Sequence, residues 1–97
     1  ELNFITYDSF TLTLVGNAVL SNPSSLYAGK SGYIAFIQDG TGSRTVTLGT
    51  DFETVSGSGL TLSSAADTTD LVPYFIAAAP GSGLNRILLG APQLAFS

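Results

Sequence analysis

The acid–base chemistry open to this sequence rests on seven carboxylates, Glu1, Asp8, Asp39, Asp51, Glu53, Asp67 and Asp70, because the chain has neither histidine nor cysteine. That composition excludes a Ser-His-Asp triad and a thiol nucleophile. Two carboxylates roughly 5–10 Å apart can hydrolyse a glycoside. Asp51 and Glu53 are the nearest pair in sequence and would share one strand face. Beside a turn, they read as a solvated loop edge. Asp39 or Asp51 with loop carbonyls could in principle hold calcium. The Asp39–Ser43 turn is too poor in acids for an EF-hand loop, and Asp capping of a turn accounts for the same residues. No catalytic, cofactor or metal residue is assigned, and no cofactor is expected.

Ala28-Gly29-Lys30-Ser31 ends like a phosphate-binding P-loop. That motif needs a glycine five positions before its last one, where this chain has Ser24. A strand follows instead of the helix whose N-terminus would face the phosphates. The stretch therefore reads as a turn. Arg44 is the more informative charge, one of only three cations with Lys30 and Arg86. At a strand entry it is expected to fork onto Asp39, onto another carboxylate such as Asp67, or onto backbone carbonyls. Such a fork would make Asp39, Gly40, Gly42 and Arg44 a structural turn with a clamp; the alternative is a contact with a partner subunit.

Behind these residues stand the elements that must place them. Ser31 to Leu48 carries an aromatic and aliphatic strand (Tyr33–Gln38), an Asp-Gly turn and a second strand (Thr45–Leu48), which is a β-hairpin signal. Residues 2–7 form a short apolar run, and Phe10, Leu12 and Leu14 alternate with Thr11, Thr13 and Val15 at the strand period. Ala18–Leu20 is a short strand that stops at Asn22-Pro23. Further strands are expected at Phe52–Val55, Leu60–Leu62, Asp70–Ala79 and Arg86–Leu89, with one helical turn within Ser63–Asp70. Pro73 marks an edge or a bulge. Ser56–Gly59 is a loop tip, Pro80–Gly83 a turn and Gly90–Ser97 a tail.

Some eight short strands with turn signals every 8 to 12 residues or so define an all-β chain, read as one small antiparallel β-sandwich over residues 1–97, with a jelly-roll or open barrel as variants. Only 10% of the residues are charged while 44% are hydrophobic. Ordinary domains carry roughly 25% charged residues, so much of this surface is expected to be covered by neighbours. A net charge of −4 argues against nucleic acid as a partner. No run approaches the roughly 20 apolar residues of a membrane helix, and no membrane partner is expected. The absence of methionine points to a processed chain or a portion of something longer. Tyr27 and Tyr33 flank a loop and are candidate interface anchors.

The stretches Val15-Gly16-Asn17, Leu20-Ser21-Asn22-Pro23, Ala28–Gly32 and Gln38-Asp39-Gly40-Thr41-Gly42-Ser43-Arg44-Thr45 resemble a module of tailed-bacteriophage virion proteins found in head-fibre, capsid-decoration and tail-fibre chains. Leu60-Thr61-Leu62, Ala65-Ala66 with Asp67 and Asp70, and Tyr74 fit the same pattern, so the resemblance covers residues 12–79. Gln-Asp-x-x-Gly-Ser-Arg-Thr is its most specific element. Related stretches often have an aromatic loop where this chain has Thr50–Gly59, with two acids and a Ser-Gly repeat. The resemblance implies a noncatalytic virion structural protein and a homotrimer. The expectation drawn from it is a decoration or cement protein on the capsid exterior, bound to the major capsid protein. The alternative is a receptor- or glycan-binding domain of a tail fibre.

Overall fold

The computed structural model describes residues 2–4, 6–23, 28–78 and 86–97. Alternation sets the strands. In β1 (Phe10–Leu14) the threonines are exposed while Phe10, Leu12 and Leu14 turn to the core. In β3 (Ser31–Gln38) the even positions Ile34, Phe36 and Gln38 are buried. In β6 (Thr69–Ala78) Asp70, Val72, Tyr74 and Ile76 are buried, and in β7 (Arg86–Leu89) Ile87 and Leu89. With β5 (Phe52–Glu53), these strands form one sheet in the order β1-β3-β6-β7-β5, and β8 (Gln93–Phe96) lies along the first part of β6. A second sheet of β2 (Ala18–Leu20) and β4 (Val46–Leu48) sends Leu20 and Val46 into the same core.

The chain is all-β, and its sheets do not close into a barrel. The pairing is mixed, however, which corrects the expectation of a wholly antiparallel sandwich. β3–β6, β6–β7 and β6–β8 are antiparallel, but β1–β3, β2–β4 and β5–β7 are parallel. Nor do the two strands of Ser31–Leu48 form a hairpin: β3 lies between β1 and β6, and β4 pairs with β2. Two arms, β1–β2 and β3–β4, run side by side in the same direction and pass together from the large sheet to the small one. Asn17 and Asn22 lace the arms. Asn17 Oδ1 accepts from the Thr45 amide at 3.0 Å, and Asn22 Oδ1 accepts from the Asp51 amide at 2.8 Å. The turn after β3 explains the missing hairpin. Its left-handed residues are Gly42 (φ 76°) and Ser43 (φ 58°), not the Gly40 that an Asp-Gly hairpin turn would use.

Pro73 is in the centre of the sheet, neither at an edge nor in a bulge. A strand residue points its N–H and C=O to the same side. The Pro73 carbonyl accepts from the Gly90 amide at 2.9 Å, so its missing N–H faces the β7–β8 side. There it falls between the rungs of β8, which end at Leu71, and those of β7, which begin at Tyr74. The β3–β6 ladder loses nothing.

Four more expectations change. Leu60 and Leu62 pack on the core, but residues 60–62 join no ladder. Residues 63–70 contain no helical turn: Asp67 takes φ 60° and its amide donates to Asp39 O, while the Thr68 hydroxyl donates to Ala65 O. Backbone bonding to the Asp39–Ser43 turn outweighs the helix propensity of two alanines. The C-terminal stretch is not a tail, since Gln93–Phe96 forms β8. Past Glu53, the expected strand gives way to a short 3₁₀ turn at Val55–Gly57. The expected turn at Pro80–Gly83 lies outside the described residues.

Phe4 holds the core together. It is fully buried and meets Phe10 and Tyr74 edge-on, each at 5.1 Å between centroids. Leu2 and Phe4 of the N-terminal apolar run thus plug the core, and neither lies in a strand. Asp70 is the one buried carboxylate among the described residues. It accepts from the Ser63 amide at 2.6 Å and the Ala95 amide at 2.8 Å, tying a loop and β8 to β6.

Two substitutions check this description. A Cβ on Gly42 would stand 2.5 Å from Ser64 O at φ +76°, whereas one on Gly40 meets open space. Gly42→Ala is expected to cost about 2–4 kcal/mol from left-handed strain plus overpacking, and Gly40→Ala less than about 0.5 kcal/mol, by urea denaturation. Asp70→Ala leaves two amides without their acceptor and is expected to cost about 2–4 kcal/mol. Hydrogen exchange should then quicken at Ser63 and Ala95 ahead of the amides of β3.

Candidate functional site

The Asp39–Arg44 turn is built from short-range bonds. Asp39 Oδ1 accepts from the Thr41 and Gly42 amides at 3.1 and 3.0 Å. Arg44 forks onto the same carboxylate, Nη2 to Oδ2 at 2.9 Å and Nε to Oδ1 at 3.3 Å. The Arg44 hydrogen bond first, then the Gly42 and Thr41 amides, hold the Asp39 carboxyl down at about 2, outweighing the opposing effect of burial. The same pairing pushes the Arg44 guanidinium further up. Gln38 completes the turn, a residue whose role the sequence reading missed. Its carboxamide accepts from Arg44 N at 2.9 Å and donates to Arg44 O at 2.8 Å and Ser63 O at 3.0 Å.

Asp8 and Lys30 form a second ion pair within the framework, at 3.1 Å, and Lys30 Nζ also donates to Phe4 O. The Tyr74 hydroxyl donates to Asp8 O; burial, with the Asp8 charge adding to it, pushes the Tyr74 phenol up. Gly29 takes φ 91° and Ser31 opens β3, so the Gly-Lys-Ser stretch leads into a strand. Glu53 sits opposite Leu88 on the edge strand β5. Among the described residues no three acidic side chains are grouped as metal ligands.

What the fold leaves open is a face. Residues opposite one another in a ladder share a side of the sheet. Tyr33 is opposite Pro73, Ala35 opposite Leu71, Phe75 opposite Leu88, and Thr69 opposite Phe96. All lie on the side away from the core. Tyr33, Phe75, Leu88 and Phe96 are exposed there, and Val55, Pro73, Phe75, Leu88 and Gly90 line a shallow apolar groove of about 370 Å³. Of the two candidate anchors, Tyr33 lies on this face and Tyr27 lies outside the described residues. Leu88 and Phe96 were not singled out from the sequence, and Phe75, whose position in an apolar run suggested core, is exposed. The near-continuous apolar runs of β3 and β6, rather than clean alternation, are the signal that marks strands meant to be covered on both sides.

Among the described residues, then, two ion pairs fasten parts of a small all-β domain to one another, and one broad apolar face with Glu53 at its rim is left open. Residues 4–76 match the model of the family described as "Putative phage tail fibre C-terminal domain". The chain belongs to that family, and it is a phage structural protein, a component of the virion. No curated protein and no solved structure matches it significantly.

The depressed Asp39 pKa sets a pH test. An unfolded Asp titrates near about 3.9. The native pKa is the lower of the two, so the stabilisation is fully present above roughly pH 4 and fades as pH falls toward 2. Arg44→Ala should raise the Asp39 midpoint part of the way, since the amides of Thr41 and Gly42 remain, and should flatten the acid limb of stability. Carboxyl NMR titration and urea denaturation between pH 2 and 6 measure both effects.

Proposed function

We propose that this domain is a noncatalytic module of a phage tail fibre and works there as a homotrimer. The family match over residues 4–76 is the observation that carries the reading, and it favours the fibre over the capsid exterior as the domain's seat. The chemistry agrees with a contact role. The buried carboxylate, Asp70, is committed to two backbone amides, and Asp39 is committed to Arg44 and two more. An acid with its lone pairs engaged in this way is poorly placed to exchange protons with a substrate. Such a module acts by shape and multivalency, many weak contacts adding up across copies of the fibre. The low charge of the chain lowers the desolvation cost of forming those contacts.

Antibody raised against the purified chain should decorate the tail fibres of virions in negative-stain micrographs. Labelling of the head, with binding of the chain to bare capsids, would overturn the fibre assignment in favour of a decoration protein on the major capsid protein. Incubation with host surface polysaccharide should release no reducing ends, and release would overturn the noncatalytic assignment. Light scattering should return three times the 10.0 kDa chain mass.

A further inference from the structure

We propose that the outer face of the large sheet is where copies of this chain meet, with Phe75 near its centre. The inference rests on the self-association proposed above and names the surface that performs it. Its first support is in the strands themselves. β3 and β6 carry apolar side chains on both faces, the pattern of strands covered on two sides. Among the described residues, the cover lies on the inner side, with Phe4, Leu20, Val46 and the residues around them.

The second support is charge. A chain of net charge −4 repels its own copies over most approaches. Among the described side chains, the outward register positions of β1, β3, β6 and β7 carry no charge, and Glu53 is confined to the rim at β5. This is the side on which two copies approach with least repulsion. It is also a poor match to a glycan, which needs several convergent hydrogen-bonding groups, or to a charged host polymer.

The third support is area. Tyr33, Val55, Phe75, Leu88 and Phe96 are each 40–65% exposed. At roughly 100 Å² apiece they leave about 500 Å² of apolar surface. With the half-buried residues between them, the face nears the ~800 Å² per partner of a stable interface. The molecule is a slab of 40 × 28 × 19 Å, so a sheet face is its natural broad contact. Three slabs turned face-inward about one axis close into a ring.

The chain has no cysteine, which permits a direct test. Phe75→Cys should be cross-linked between copies by a short bis-maleimide, whereas Val19→Cys, exposed on the small sheet, should not. Phe75→Asp should weaken association at least tenfold by sedimentation equilibrium while keeping the far-ultraviolet spectrum of the parent, and Val19→Asp should leave association unchanged. An oligomeric parent with Phe75→Cys unlinked, or with Phe75→Asp still fully associated, overturns this assignment and leaves the oligomer standing. A parent chain that is monomeric at every concentration overturns the self-association reading itself. Loss of host-cell attachment by Phe75→Asp with the oligomer intact would assign the face to a receptor instead, and overturns the proposal.

Discussion

The path of this chain turns on one carboxamide. Gln38 ends β3, is almost fully buried, and gives its side-chain oxygen and nitrogen to the N–H and C=O of Arg44. A primary amide presents the same acceptor and donor as a peptide group. Arg44 therefore finds in Gln38 the partner that a neighbouring strand would have supplied. The second amide hydrogen goes to Ser63 O, and the Gln38 backbone amide to Thr68 O, so the 63–68 loop is anchored to the same residue. Left without those partners, each buried polar group would cost about 1–3 kcal/mol, more than a flexible turn recovers. Backbone and side chain together close off the ladder that a hairpin would have continued. The chain leaves the large sheet here, and β4 is free to join β2 in the second layer.

That departure shapes the rest. Because β4 crosses to the other layer, the inner side of the sheet acquires a cover and Leu20 and Val46 join the core. Because no hairpin partner lies beside β3, the neighbouring places go to β1 and β6, and β6 becomes the strand with most neighbours, pairing with β3, β7 and β8. A proline is tolerated in so central a strand only because its missing donor coincides with the change from β8 to β7. Asp70, near the start of β6, then binds the two segments that would otherwise be loosest, the 63–68 loop and the C-terminal strand. Ala95 takes φ 62°, a left-handed residue other than glycine, in the strand that Asp70 holds. The Asp70 bond to the Ala95 amide is the visible restraint on that geometry.

How much of this was legible in the sequence follows the range of the interactions. The alternation of Phe10, Leu12 and Leu14 against threonine is local, and β1 was readable from it. The Asp39–Arg44 turn spans six residues, and Asp39 was among the partners for Arg44 that its sequence offered for the same reason. Strand pairing is different: nothing in Tyr33–Gln38 names its neighbour, and adjacency in the chain pointed to Thr45–Leu48 when the partners are 20 or more residues away in β1 and β6. Gln38 itself was invisible as a determinant, since a glutamine at a strand end is ordinarily a solvated side chain. The short run Gln93–Phe96 has no period to read and owes its strand to Asp70 and β6. As for the candidate contact face, composition disclosed that something apolar had to be covered, but only the register shows that Tyr33, Phe75, Leu88 and Phe96 stand on one side.

The economy of a 97-residue domain connects that face to stability. A chain this short buries a smaller fraction of its surface than a larger domain does and is left with a narrow margin over unfolding. Here the inner core, with Phe4 at its centre, is what the chain can cover with its own residues. Among the described residues nothing covers the outer side of β3, β6 and β7, and its apolar runs gain nothing while they face water. Binding that covers it would stabilise the native state by mass action, since the unfolded chain does not present the face. Among the described side chains of this face, surface charge, the usual guard against indiscriminate association, is reduced to Glu53 at the rim. If copies meet on this face, as proposed above, each would gain from its neighbours the cover that so short a chain does not supply for itself, and association would add to the stability of the fold.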